Sequence, residues 1–444
     1  MKKQMQKKDK TLRFFISFGF LISRLHASHL PFSSALNIFS DNSNGKRQQP
    51  FPSDPQSIAA VKAIPIVKAP VYIGPKIGSG GYGTIYEGIW QSLNVIIKKV
   101  NPEKGDKGIR GIQKELNYSQ ALLEKVSEAL KNNPAYSKFL EADPIIPVIA
   151  QTSDGSLVQK RIQGKDLSKI VSSKAPPYTL GYPDHLEEAI LRAANFFRAL
   201  AILHNLGFVH CDIKPGNVMI DDQQQLCHII DLGAMKKIGE TIQIHSSNGA
   251  PEFIEQTCVI KDNNEKKKKL KDEQTEIANK IQQTSDVEEI AKLRAREKEI
   301  EEQLQTIANT IQLAKSLRYA VAQPAYDVYS AAAIYLAILF GKAGSQFARY
   351  LYFRQTKDPV QFKFLQIARY PYFNATKYFT SRFRELNQMM EKATGRIFPE
   401  IILDRLAIPL ARMSSLDSTE RPLATEIFQE LRDIHGAFKH LLQN

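Results

Sequence analysis

At 444 residues the chain can hold two or three average domains, and 43% hydrophobic with 24% charged residues is the composition of an ordinary globular protein. Three cysteines (Cys211, Cys227, Cys258) exclude a disulfide framework and fit a reducing, cytoplasmic compartment. Sixty basic against 46 acidic residues leave a net charge of +14, which suits acidic surfaces of any kind and singles out none.

Lys2, Lys3, Lys7, Lys8, Lys10 and Arg13 precede an apolar run, Phe14 to Ile22, that is too short to cross a bilayer. The order of charge and apolarity is that of a secretory signal, but Leu25-His26-Ala27 offers one small residue where cleavage wants two. From Ser28 to Pro65 the chain is rich in Ser, Asn, Gln and Pro without periodicity. Residues 1–66 are therefore expected to be a disordered basic tail, a candidate targeting or membrane-contact segment. Secretion into a host cytoplasm is the alternative placement.

Order is expected from about Ala69. Val71-Tyr72-Ile73 and Lys76-Ile77 read as a strand entering Gly78-Ser79-Gly80-Gly81-Tyr82-Gly83, and Thr84 to Trp90 as the returning strand. A hairpin loop of glycines lets backbone N–H groups approach phosphates with no Cβ in the way. In dinucleotide-binding folds such glycines lead into a helix; here strand formers follow. Asn94 to Val100 is the next strand, on which Ile96 shares a face with Lys98. A helix is expected over about Ile109–Lys131, carrying Glu115 one turn beyond Ile112, with Glu124 and Glu128 as rival acids. Pro144–Ala150 and Ser156–Gln159 read as two further strands. Asp184 to His204 is a strong helix, with Asp184 and Glu187 as an N-terminal capping pair.

The chain is organised around Val209-His210-Cys211-Asp212-Ile213-Lys214-Pro215-Gly216-Asn217-Val218-Met219-Ile220, followed by Asp231-Leu232-Gly233. Phosphoryl transfer from a nucleotide needs a base for the attacking hydroxyl, a cation on the moving group and oxygen ligands for magnesium. Asp212, Lys214, and Asn217 with Asp231 can fill those roles in that order. Together these stretches resemble the catalytic loop and metal-binding motif of eukaryotic-like (Hanks-type) protein serine/threonine kinases.

The resemblance implies an α+β, bilobal fold, with residues 67–162 as a β-rich N-lobe and 163–444 as a helical C-lobe. It implies ATP and Mg as cofactors and a protein as substrate. Gly78, Gly80, Gly83 and Ile85 become the nucleotide lid, and Lys98 the contact to the α- and β-phosphates with Glu115 as its ion-pair partner. Ile96 stands where the family usually has Ala, which predicts a tighter adenine pocket. Gln159 becomes the residue guarding the back pocket. Lys160 and Ile162 offer backbone groups to adenine, Asp166 lies near the ribose, and Met219 floors the pocket. Cys211 replaces an Arg that docks a phosphorylated activation loop in many relatives, so the enzyme is expected to be active as made. Gly249 to Gln256 can be aligned two ways, with Glu252 or Glu255 pairing with Arg421.

An insertion at about 260–322 separates this segment from Asp327-Val328-Tyr329-Ser330, which resembles the start of the family's buried central helix. Leu270, Ile277 and Ile281, then Ile300, Leu304, Ile307 and Ile311, have coiled-coil spacing. They predict an antiparallel helical hairpin, with Ser285 and Glu288 as the capping box of its second helix and Lys266 to Lys269 on a solvated face. Residues 262–318 are a candidate for coiled-coil pairing or self-association. Basic and aromatic residues interleave from Arg349 to Phe373, but packed helices with snorkelling cations explain this without nucleic acid. Helices over Ile401–Met413 and Leu423–Leu442 complete the lobe. The function expected is ATP- and Mg-dependent transfer to Ser/Thr hydroxyls. A pseudokinase scaffold and a small-molecule phosphotransferase on the same fold are the alternatives.

Overall fold

A computed structural model of the chain describes residues 64, 66–67, 71–80, 83–140, 143–172, 186–221, 226–243, 251–316, 319–352, 374–395, 397–415 and 417–443. Residues 1–63 of the basic tail, Asp184 and the basic-aromatic run from residue 353 to 373 lie outside them.

The first half is a six-stranded sheet: β1 (Ile66–Val67), β2 (Tyr72–Ser79), β3 (Gly83–Trp90), β4 (Leu93–Val100), β5 (Val148–Thr152) and β6 (Leu157–Lys160), in spatial order β1-β5-β6-β4-β3-β2. β3 and β4 pair antiparallel from end to end with Ile85 opposite Lys98, and β4 meets β6 with Ile96 opposite Gln159. Strand alternation sends Val95 and Ile97 to one face, where they are fully buried with Ala150 and Val158. The other face carries Ile96 and Lys98 toward helix α1 (Gly105–Asn132), whose Ile112 packs on Val148 and Leu157. Burying each such side chain contributes roughly 1.5–3 kcal/mol.

Structure begins slightly before the expected Ala69. β1 pairs parallel with β5, Ile66 opposite Gln151, and Ile64 packs on the Ile112, Val148 and Leu157 cluster.

The second half is built around helices. β7 (Gly164–Asp166) leads to α2 (Leu186–Asn205), whose Phe196, Phe197 and Leu200 are fully buried. The expected Asp184–Glu187 capping pair lies outside the described residues, since Asp184 does. Glu187 faces α8 (Ala424–Gln443), where His435 Nε2 lies 3.0 Å from its carboxylate. After β8 (Phe208–Val209) come β9 (Val218–Asp221) and β10 (Cys227–Ile229), which form a three-stranded sheet with β7. Next follow the short strands β11 (Lys236–Lys237), paired with β8, and β12 (Thr241–Gln243).

The insertion is a pair of antiparallel helices, α3 (Pro251–Gln283) and α4 (Val287–Ser316). α3 starts well before the expected Glu265, with Pro251 in its first turn, where a missing N–H costs nothing. Ile277, Ile300, Ile307 and Ile311 are buried, and Arg296 reaches Glu273 across the pair at 2.8 Å. The cap of α4 is Asp286, not Ser285: its Oδ1 accepts from the N–H of Glu288 (2.8 Å) and Glu289 (3.2 Å). A carboxylate at the positive end of a helix outcompetes a hydroxyl one residue earlier. The chain returns as β13 (Tyr319–Val321), antiparallel to β12 with Gln243 opposite Tyr319.

α5 (Pro324–Tyr352) is the central helix and turns aside at Gly341, whose φ of 55° favours glycine. Its Pro324–Ala348 stretch is apolar enough to span a bilayer, yet 89% of the qualifying window is buried. Tyr335 donates to the Leu406 carbonyl (2.8 Å), and Phe340 packs edge-on against Phe383 and Phe398. α6 (Ala375–Thr394), α7 (Glu400–Met413) and α8 close the lobe around it.

Candidate active site

Two clusters of polar side chains are brought together by a backbone bond from Ile230 to Asn217, which ties the segment before Asp231 to the loop holding Asp212. The first joins three residues far apart in sequence. Lys98 Nζ on β4 donates to Glu115 Oε2 on α1 at 2.6 Å and to Asp231 Oδ1 at 3.0 Å. Glu115 is 1% exposed, and its other oxygen accepts from Gln159 Nε2 at 3.1 Å. Burial would strip the proton from Lys98, but the two carboxylates together hold its ammonium well above the ordinary lysine value. Burial likewise pushes the Asp231 carboxyl up. The Lys98 charge and hydrogen bond, aided by His210 and Lys214, outweigh that and hold it below the ordinary value.

Asp231 reaches this position from a left-handed backbone (φ 62°), which Asp tolerates better than most residues. The turn after it brings Gly233 close enough to Glu115 that an added Cβ would stand 3.8 Å from the Glu115 Cβ.

The second cluster is local. Asp212 Oδ2 accepts from Lys214 Nζ (2.5 Å) and from Asn217 Nδ2 (3.1 Å), and Asn217 Nδ2 also reaches the Asp212 carbonyl (2.9 Å). Asn217 is buried, whereas Asp212 and Lys214 are partly open to solvent. The backbone ties this loop to the strand before Asp231. Ile230 N donates to Asn217 O at 3.0 Å, and His210 Nε2 lies 3.1 Å from Ile230 O. His210 is fully buried and its bonds are to backbone and neighbours, so it holds the loop in place.

The glycine positions are unequal. A Cβ on Gly83 would lie 2.6 Å from the Lys99 carbonyl, so only glycine lets β3 lie so close to β4. Gly78 and Gly80 have room, and Gly80 N closes the loop on Gly83 O at 2.8 Å. Ile85, opposite Lys98 on β3, and Ile96, two residues before it on β4, are half-buried.

The inter-lobe residues are employed differently from one another. The Lys160 side chain is ion-paired with Asp143, and its backbone lies opposite Val95. Ile162 stays half-buried beside β7. Asp166 caps a short helix: its carboxylate accepts from Lys169 N at 3.1 Å and pairs with Lys169 Nζ at 3.0 Å. A carboxylate so engaged is less free for a ribose. Met219 lies opposite Asp166 in the β7–β9 pair, half-buried.

Sequence reasoning treated Asp327 only as the start of a helix. Its buried carboxylate accepts from His210 N (2.6 Å) and Cys211 N (2.9 Å), and His204 Nε2 lies 3.0 Å away. Two consecutive backbone N–H groups are thus aimed at one charge. Cys211 takes φ 63° to allow it, and burial, with Asp327 adding to it, pushes its thiol far up. An acid at the head of an otherwise apolar run was the available signal. Arg421 donates to the carbonyls of Ser415 (2.9 Å) and Ala325 (3.2 Å) and stacks over Tyr329. The side chains of Glu252 and Glu255 lie outside the described residues.

Residues 72–270 match the family model for the protein kinase domain. Among curated proteins, the serine/threonine-protein kinase mos of Nycticorax nycticorax is 24% identical over 173 residues, 37% of this chain and 82% of that protein. The mos kinase of Patiria pectinifera is 28% identical over 175 residues, 37% of this chain and 42% of that protein. The proto-oncogene serine/threonine-protein kinase mos of Sus scrofa is 26% identical over 168 residues, 37% and 46% respectively. A β-sheet half, a helical half and these two clusters thus accompany a protein kinase domain over residues 72–270, similar to the serine/threonine-protein kinases named above.

Proposed function

We propose that the chain transfers the γ-phosphoryl group of ATP, in a magnesium-dependent reaction, to Ser and Thr hydroxyls of a protein substrate. The observation that carries this reading is the Lys98–Glu115–Asp231 cluster tied, through the Ile230–Asn217 backbone bond, to the Asp212–Lys214–Asn217 cluster. A lysine held charged by two carboxylates is suited to a polyphosphate, and Glu115 fixes where its ammonium points. Asn217 gives both its donor contacts to Asp212, which turns its carboxamide oxygen away from that residue. That oxygen and the Asp231 carboxylate make a hard-oxygen donor set of the kind magnesium takes. When bound, the metal supplies charge neutralisation on the phosphates. Asp212 orients and accepts the proton of the acceptor hydroxyl, and Lys214, already beside it, offsets charge on the transferred group. Positioning and fixed electrostatics, not covalent chemistry, give the rate.

The test is labelling from γ-labelled ATP onto a generic basic protein, with and without magnesium, followed by phosphoamino-acid analysis. Wild type is expected to give phosphoserine and phosphothreonine. Asp212→Ala and Asp231→Asn should lose activity by about a thousandfold, the scale of a missing base or ligand. Wild-type-like rates in both variants would overturn the assignment of roles. We also propose that the 262–318 arm serves partner binding or self-association through its charged outer faces, since Ile277, Ile300, Ile307 and Ile311 are already buried.

A further inference from the structure

We infer that Tyr118, Lys236 and Glu240 form a clasp that fastens the segment after Asp231 to the helix bearing Glu115, making Tyr118 a positioning residue for the reaction. The inference rests on the proposed role of the Lys98–Glu115 pair. Tyr118 lies three residues beyond Glu115 on α1, so the two project from one face of the helix. Its hydroxyl donates to Glu240 Oε2 at 3.2 Å, and Lys236 Nζ stands 5.4 Å from the centre of its ring. Lys236 and Glu240 are themselves 3.9 Å apart. All three are half-buried, and each contacts both others, so the arrangement is a closed triangle and not an isolated surface pair.

The far side of the same segment is fixed by backbone. β11 pairs with β8 immediately before His210, Ile238 N donates to Gly207 O, and Gly239 N and Glu240 O bond to Ala322. Ile242 packs on Val209 and Ala322, with Cys211 against the same cluster. Residues 236–243 therefore form a rigid ledge on the catalytic-loop side, and the clasp is what transmits that rigidity to α1. Glu240 is an anion that the chain itself carries at this junction, so ordering the ledge requires no added charge.

The experiment measures amide hydrogen exchange over 236–243 alongside kcat and KM for ATP. The proteins are full-length wild type, Tyr118→Ala, Tyr118→Phe, Glu240→Gln, the Tyr118→Ala/Glu240→Gln double variant and Lys237→Ala. Tyr118→Ala and Glu240→Gln should each speed exchange and lower kcat/KM for ATP about five- to tenfold, the scale of a half-buried cation–π and hydrogen-bond network. Tyr118→Phe keeps the ring over Lys236 and should fall between. The double variant should be little worse than either single one, because both break the same triangle. Lys237, exposed on the same strand, should be silent when changed. Wild-type exchange and kinetics in Tyr118→Ala, a fall in melting temperature with kcat/KM unchanged, or strictly additive losses would each overturn the clasp. Because exchange is read without turnover, failure of the phosphoryl-transfer reading would leave this result separately decided.

Discussion

The two polar clusters of the site hold comparable charges but are assembled by opposite means. Asp212, Lys214 and Asn217 lie within six residues, and their geometry is fixed by one short turn and by Asp327 beneath it. Lys98, Glu115 and Asp231 come from a strand, a helix and a turn, separated by 17 and 133 residues in sequence. The local cluster survives small shifts between elements. The distributed one exists only while α1 stays against the sheet, so it is where the site can be unmade.

The contrast is broken most forcefully at Lys98. Lys98→Met leaves Glu115 buried without its cation, which should cost about 3 kcal/mol of stability in addition to nearly all activity. Lys214→Ala, at a partly exposed position of the local cluster, should cut kcat by about a hundredfold yet move stability by less than about 0.5 kcal/mol. Urea unfolding beside single-turnover kinetics separates the two, and equal stability losses would erase the distinction.

Asp327→Asn tests how far the local cluster depends on its support. Neutralising an acceptor of two backbone N–H groups should cost about 2 kcal/mol, with kcat falling while KM for ATP changes little. A KM effect as large as the kcat effect would tie Asp327 to nucleotide binding instead.

A smaller effect lies at His228, behind the local cluster on β10. It is 3% exposed, with Nδ1 2.7 Å from the Asp143 carbonyl, and Asp221, Asp143 and Lys160 face it. Burial pushes its pKa down, so the fold holds it neutral. Its contribution is complete above the unfolded value of about 6.5 and is lost as pH falls through the lower folded value. His228→Gln should flatten stability below about pH 6.5 by at most about 1.4 kcal/mol per pH unit. An unchanged pH slope in this variant would remove the histidine from the acid response.

At the weak end, Arg296→Ala on the exposed hairpin should leave melting temperature and turnover unchanged, since solvated ion pairs contribute little.

What the sequence made legible follows the same division. The local cluster could be read directly, because its chemistry is compressed into one run of residues with nowhere else to point. Lys98 and Glu115 were reachable through strand alternation and helical spacing, which fix faces without fixing contacts. Gln159 donating to Glu115, Asp327 gathering two N–H groups and Asp166 capping a helix are tertiary facts. Their residue types fit several roles equally well until the neighbours are known. The three-residue strands β12 and β13 carry no periodic signal at all, and the start of α3 was missed because its first turn reads as the end of the preceding segment.

The pairing of Gln243 with Tyr319 brings the two flanks of the inserted helical pair side by side in one two-stranded neck. Because α3 and α4 pack on each other and Arg296 bridges them to Glu273, the arm carries its own contacts, and the neck is where it is joined to the lobe.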